Sequence, residues 1–167
     1  MRNRRLARER TIQFLFQHDI NPPDAIEDEL ERFWDSQTSG AIAEDHQSAT
    51  WGKQTEPAPP TAEDTEVRKF GDPLIRGVIE KLSELDGLIE EQTRNWDFER
   101  IAKVDRNILR LAIYEMLHRD DIPPVVSINE AIDIAKKFST ENSGRFVNGI
   151  LDKVKGKLMR PARTTAD

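Results

Sequence analysis

Val104-Asp105-Arg106-Asn107-Ile108-Leu109-Arg110-Leu111-Ala112-Ile113-Tyr114-Glu115-Met116-Leu117 is the stretch that decides the fold class. Val104, Ile108, Leu111 and Ala112 recur at helical spacing, and Leu109, Ile113, Met116 and Leu117 fill the positions beside them. A helix that is apolar on nearly every side needs other helices around it, so this segment reads as the central, most buried one. Asp121-Ile122-Pro123-Pro124 ends it, because a residue before proline avoids the helical region.

Working outward, Ser127-Ile128-Asn129-Glu130 has the form of a capping box, with Ile128, Ala131, Ile132, Ala135 and Phe138 continuing the helix behind it. Thr140-Glu141-Asn142-Ser143-Gly144 reads as a turn. Phe146, Val147, Ile150, Leu151, Val154 and Leu158 then mark a last helix. Upstream, Pro73 suits a first helical turn, and Ile75, Val78, Ile79, Leu82, Leu85 and Ile89 follow at a 3.6-residue period. Near the N-terminus, Ala7, Thr11, Phe14 and Leu15 form a stripe broadened by Ile12 and Phe16. Pro22-Pro23 stops that helix, and Ile26, Leu30, Phe33 and Trp34 supply a shorter second one. Alternating strand patterns are missing. The expectation is an all-α, compact bundle of about six to seven helices. It forms a single domain over residues 1–159, or two helical subdomains (1–95 and 96–159), before a disordered tail at 160–167.

Residues 36–66 break the pattern. They hold Pro57, Pro59 and Pro60, many Ser, Thr and Gln, and almost no periodic apolar positions. Such a stretch buries too little surface to offset its ordering entropy, so it reads as a flexible acidic insert between the second and third helices, with Trp51 as its one large apolar group. The chain's net charge of -6 is concentrated there. Residues 1–23 carry five arginines against Glu9 and Asp19, while residues 24–66 carry twelve acids against Arg32 and Lys53. The global sign therefore says little about the charge of the helical surface.

The inventory argues against an enzyme. There is no cysteine, so disulfides, thiolate metal sites and Cys nucleophiles are excluded. His18, His46 and His118 stand in no metal-binding frame, and the glycines are scattered rather than gathered into a phosphate loop. Acid pairs such as Asp120-Asp121 are adjacent, and helix neighbours diverge by about 100°. Glu115 is expected to pair with Arg110 or Arg119. No cofactor or metal is expected. No run of 18 apolar residues is present, and the polar stretch after the basic start is too short for a signal core. The expected location is cytoplasmic.

The basic residues carry more information. Arg4 and Arg8 share a helix face, with Arg5 beside them. Docking through Ala7, Thr11, Phe14 and Leu15 is expected to leave all three pointing to solvent. Arginine offers a planar donor fork for phosphates and a surface for stacking. A second set, Arg145, Lys153, Lys155, Lys157, Arg160 and Arg163, lies near the last helix. At its start Asn142, Ser143, Arg145 and Asn148 surround Phe146. Helix starts bind phosphates, and an aromatic among Arg and Asn suits unstacked RNA bases. Phe146 and Phe16 also fit the core stripes, so burial and base stacking both stand as readings. On residues alone, the chain is a helical domain with a basic face that binds RNA or serves as a protein-interaction module.

Asp105-Arg106-Asn107-Ile108-Leu109-Arg110-Leu111-Ala112-Ile113-Tyr114-Glu115, Ile128-Asn129-Glu130-Ala131, Ala135-Lys136-Lys137-Phe138 and Arg145-Phe146-Val147-Asn148-Gly149-Ile150-Leu151-Asp152-Lys153 together resemble the NusB family of bacterial transcription antitermination factors. Arg4-Arg5-Leu6-Ala7-Arg8-Glu9 resembles that family's basic first helix. The resemblance covers about residues 4–20 and 70–156. It implies a non-enzymatic, all-helical protein that binds boxA RNA of ribosomal RNA transcripts together with the ribosomal protein NusE, and acts with RNA polymerase and other Nus factors against premature termination. The RNA-binding residues it implies are Arg4, Arg5, Arg8, Phe16, Asn142, Ser143, Arg145 and Phe146, to which the polar and basic residues of the last helix add Asn148 and Lys153. The NusE-facing surface falls on the central helix and the Ile122–Ile128 connection. The resemblance leaves monomer and homodimer equally open, and the insert at 36–66 has no counterpart in it.

Overall fold

Seven α-helices follow one another among the described residues: α1 Arg2–Ile20, α2 Ile26–Ser36, α3 Ala62–Glu80, α4 Leu82–Gln92, α5 Lys103–His118, α6 Pro124–Phe138 and α7 Glu141–Met159. A 3-10 turn, Phe98–Arg100, precedes α5. The computed structural model describes residues 2–38, 42, 59–93 and 98–159, and no strand occurs among them, as the sequence led us to expect. Most of the acidic insert, with His46 and Trp51, and the tail at 160–167 lie outside the described residues. Contacts divide the chain into two units, Met1–Pro73 and Leu74–Asp167, with the boundary inside α3.

In the first unit, α1 buries the predicted stripe Ala7, Thr11, Phe14 and Leu15, together with Ile12. Acids at Glu27, Asp28 and Glu29 fill the first turn of α2, where the helix dipole favours them. Leu30, Phe33 and Trp34 of α2 are buried. Phe33 meets Phe14 edge to face at 5.2 Å, and Trp34 packs on Phe33 in the same manner. The α1–α3 contact is close. Thr11 Oγ1 donates to the Ala7 carbonyl at 2.8 Å and lies 3.4 Å from the Gly71 carbonyl. Trp34 Nε1 donates to Asp72 at 3.0 Å, which fixes the indole over Gly71.

The start of α3 corrects the sequence reading. The helix begins at Ala62, and Pro73 lies inside it. Thr61 and Asp64 form a reciprocal cap: the Asp64 N–H donates to Thr61 Oγ1 at 3.0 Å, and the Thr61 N–H donates to Asp64 at 2.9 Å. These two bonds satisfy donors at the helix start, which is why helix enters what looked like the last residues of the insert. Pro73 is exposed and forgoes one helical bond without ending α3.

In the second unit, α5 is the buried helix the sequence indicated, with residues Asp105 through Ile113 and Glu115 inside. It packs against α4, α6 and α7, and α6 and α7 pack on each other most extensively. Several of its buried polar residues find partners. Arg110 makes a two-pronged ion pair with Asp86 at 2.6 and 2.8 Å and donates to Asn107 Oδ1 at 3.0 Å. Glu115 accepts from Ser127 Oγ at 3.0 Å and, as expected, also interacts with Arg119, whose pKa its charge helps to raise. Ser127 therefore does not cap α6. That helix starts at Pro124, whose missing N–H costs nothing in a first turn.

A methyl group at Gly71 would lie 2.7 Å from the Trp34 ring and 3.3 Å from the Ala7 carbonyl, whereas at Gly87, on the exposed face of α4, it would meet nothing within 4 Å. Helix propensity favours alanine at both positions. Gly71→Ala is expected to lower stability by about 1–3 kcal/mol through overpacking. Gly87→Ala should raise it by about 0.4–1 kcal/mol. Urea midpoints of the two variants check the opposite signs.

Candidate nucleic-acid interface

The buried stripe of α1 sets where its arginines point. Arg4 and Arg5 are exposed. Arg8 is not: it is only 3% exposed, which corrects the expectation that all three face solvent. Both Arg4 and Arg8 turn toward Phe70 on α3. The Arg4 guanidinium carbon lies 4.9 Å from the centre of the Phe70 ring and that of Arg8 lies 5.2 Å from it, both within cation–π range. Arg4 makes no ion pair among the described residues, so its fork is open to an anion. Phe16, farther along α1, is half-buried.

The residues expected to form a turn before the last helix belong to α7 itself. Thr140 is the cap, its Oγ1 accepting from the Ser143 N–H at 3.1 Å. Asn142, Arg145, Asn148 and Lys153 are exposed along α7, while Val147, Ile150, Leu151 and Val154 bury its other side. Phe146 is half-buried, between the two readings the sequence allowed. Ser143 departs from the set. Its side chain is buried, donates to Asp105 Oδ2 at 3.1 Å and lies 2.8 Å from Ser139 Oγ. Ser143 thus ties α7 to α5 rather than presenting its hydroxyl to a ligand. Arg4, Arg5, Arg8 and Phe16 belong to the first unit, and Asn142 to Lys153 to the second.

Two aromatics escaped the sequence reading. Phe70 fell outside the helix that was taken to begin at Pro73. Starting α3 at the Thr61-Ala62-Glu63-Asp64 cap places Val67, Phe70 and Leu74 at i, i+3 and i+7, the signal that would have found it. Phe138, expected in the buried stripe of α6, is 51% exposed at the helix end, and Lys137 Nζ lies 5.2 Å from its ring centre. Ile134 takes the core position instead.

Asp105 is the most unusual ionisable group near these residues. It is 7% exposed, and its Oδ1 has no hydrogen-bond partner among the described residues. Burial pushes its carboxyl above the usual range, and the Ser143 hydrogen bond only partly opposes this. A raised native pKa means that the site's contribution to stability is complete below the ordinary carboxylate range and is lost as pH rises through the native value. Asp105→Asn keeps an acceptor for Ser143 and carries no charge. The variant should be more stable than the parent at pH 7, with the advantage shrinking toward pH 3. Thermal midpoints across that range measure the sign.

Among the described residues, no group of three or more His, Asp or Glu is placed to hold a metal ion, and no helix is long and apolar enough to cross a membrane.

The NusB family profile matches residues 5–156. The transcription antitermination protein NusB of Anaeromyxobacter sp. (strain Fw109-5) is 42% identical over 159 residues, spanning 95% of this chain and 94% of the relative. That of Bacillus velezensis is 40% identical over 155 residues, spanning 91% and 95%. Among solved structures, T. maritima NusB shares 38% identity with a TM-score of 0.64, covering 90% of this chain and 89% of that one. A complex of antitermination factors NusB and NusE with dsRNA shares the fold, with a TM-score of 0.64 and 22% identity over 92% of this chain and 96% of that one. A helical chain whose family match runs from within its basic first helix to within its last, and which matches such relatives over nearly its whole length, belongs to the NusB family.

Proposed function

We propose that this chain is a non-enzymatic transcription antitermination factor. It binds boxA RNA of ribosomal RNA transcripts together with NusE, and with RNA polymerase and the other Nus factors it acts in the cytoplasm against premature termination. Relatives that match it over more than nine-tenths of its length carry the name transcription antitermination protein, and a protein of the same fold has been solved with NusE and dsRNA. The observation that carries the RNA half of the reading is the open fork of Arg4, exposed beside Arg5 at the start of a helix whose other side is locked into the first unit. Exposed Asn142, Arg145, Asn148 and Lys153 supply polar and basic groups of the kind that contact phosphates and base edges. For NusE, the Ile122–Ile128 connection offers Val125, an apolar side chain 53% exposed at the start of α6.

The test is binding of single-stranded boxA RNA, alone and with NusE, across salt concentrations. Each lost phosphate contact lowers the salt slope by roughly 0.7 on single strands. Arg4→Ala should lower it by about that amount with little change in stability. Arg8→Ala, removing a buried cation stacked on Phe70, should chiefly lower the unfolding midpoint. Tight NusE binding with no RNA dependence on Arg4, Arg5 or Arg145 would replace this reading with that of a protein-interaction module.

A further inference from the structure

Phe70 lies in neither set of RNA-facing residues, yet both Arg4 and Arg8 converge on its ring, at 4.9 and 5.2 Å. Two guanidinium groups that close to one ring lie within roughly a Debye length of each other, about 10 Å at 0.1 M salt, so they repel. The negative face of the aromatic ring offsets that repulsion. Phe70 is half-buried on α3, one residue before Gly71, where a Cβ would come within 3.3 Å of the Ala7 carbonyl of α1. A free arginine loses much side-chain freedom when it takes up a phosphate, and one already stacked loses less.

We infer that Phe70 is a positioning residue for RNA binding: it holds the Arg4 guanidinium in place for a backbone phosphate while keeping the Arg8 charge buried behind it. Phe70 touches no phosphate in this arrangement. It acts through Arg4, and Arg8 adds positive potential from a position that water and salt screen poorly. This inference rests on the RNA reading above. It adds that the affinity of α1 for RNA is set by the electron density of a ring on another helix.

The experiment replaces Phe70 by mono-, tri- and pentafluorophenylalanine in the full chain. This drains the ring's negative face while nearly preserving its shape. Binding of a short single-stranded boxA RNA is followed by fluorescence anisotropy, with the unfolding midpoint measured in parallel. Affinity should fall stepwise with fluorine content, by roughly two- to five-fold at five fluorines, the range expected for a cation–π contact near the surface. The unfolding midpoint should fall slightly in step, because the buried Arg8 loses the same ring face. In an Arg4→Ala background the series should leave RNA affinity unchanged. Unchanged affinity along the series, or an equal loss with and without Arg4, would overturn the positioning role. A parent protein that fails to bind boxA RNA with or without NusE would instead remove the RNA reading, and this inference with it. Phe70→Trp, which strengthens the ring face, should match or exceed the parent. Phe70→Leu should bind as weakly as the pentafluoro variant, and each outcome reversed counts against the idea.

Discussion

The close approach of α1 to α3 at Gly71 is the constraint on which the first unit depends. Trp34 covers the glycine, its Nε1 held by Asp72, and Thr11 reaches across toward the Gly71 carbonyl. A side chain at this position would push α3 away from α1. Phe70 is the adjacent residue, so the separation that lets Gly71 meet Ala7 and Trp34 also brings the Phe70 ring to Arg4 and Arg8. Packing and charge placement are therefore not separate features of this unit. The geometry of an apolar contact decides which arginine is buried and which is open.

The second unit solves a different problem, since its central helix carries charged residues inside. An ion pair in the interior does little better than an apolar pair of the same shape, but breaking it strands a charge at a cost of about 3–5 kcal/mol. Arg110 with Asp86 is of this kind, and Glu115, held by the Ser127 hydroxyl, is a buried charge satisfied by a hydrogen bond. Each is satisfied only when α5 sits in one register against α4 or α6. Asp105 is the exception, half-satisfied by Ser143 and with burial raising its pKa. It stands where α5 meets the first turn of α7, the turn that carries Asn142 and is followed by Arg145. The least settled polar group of the core thus lies beneath exposed residues expected to contact RNA.

Long, unambiguous periodicities made most of this legible in the sequence. The centres of the stripes of α1, α2, α5 and α7 are buried as named from spacing alone, while Ile26, Val104, Met116, Leu117, Phe146 and Leu158 at their edges are half-buried. Helix starts were harder to read, because a start is decided by one or two hydrogen bonds. Ser127 has the form of a cap but finds a better acceptor in Glu115, while Thr61, in a proline-rich stretch, caps α3 with Asp64 in return. The candidate site divides in the same way. That Asn142, Arg145, Asn148 and Lys153 are exposed follows from their helical positions against a buried stripe. The burial of Arg8 does not, because it involves Phe70, sixty-two residues away in the chain. Ser143 is likewise drawn inward by Asp105 on another helix, a contact no local pattern announces.

The net charge of -6 takes on a different meaning once positions replace totals. Acids at Glu27, Asp28 and Glu29, and at Glu63 and Asp64, occupy the first turns of α2 and α3, where the positive end of the helix dipole stabilises them. Their field beyond a Debye length is largely screened at physiological salt. A phosphate approaching α1 responds to what lies within that distance. At Arg4 that includes a second guanidinium and an aromatic ring, with Arg5 one residue along the helix. An acidic protein can therefore present a cationic site, provided its acids are committed to helix starts and its arginines are held together. Here the ring of Phe70 holds them, which makes its electron density, rather than the sum of charges, the quantity on which the site turns.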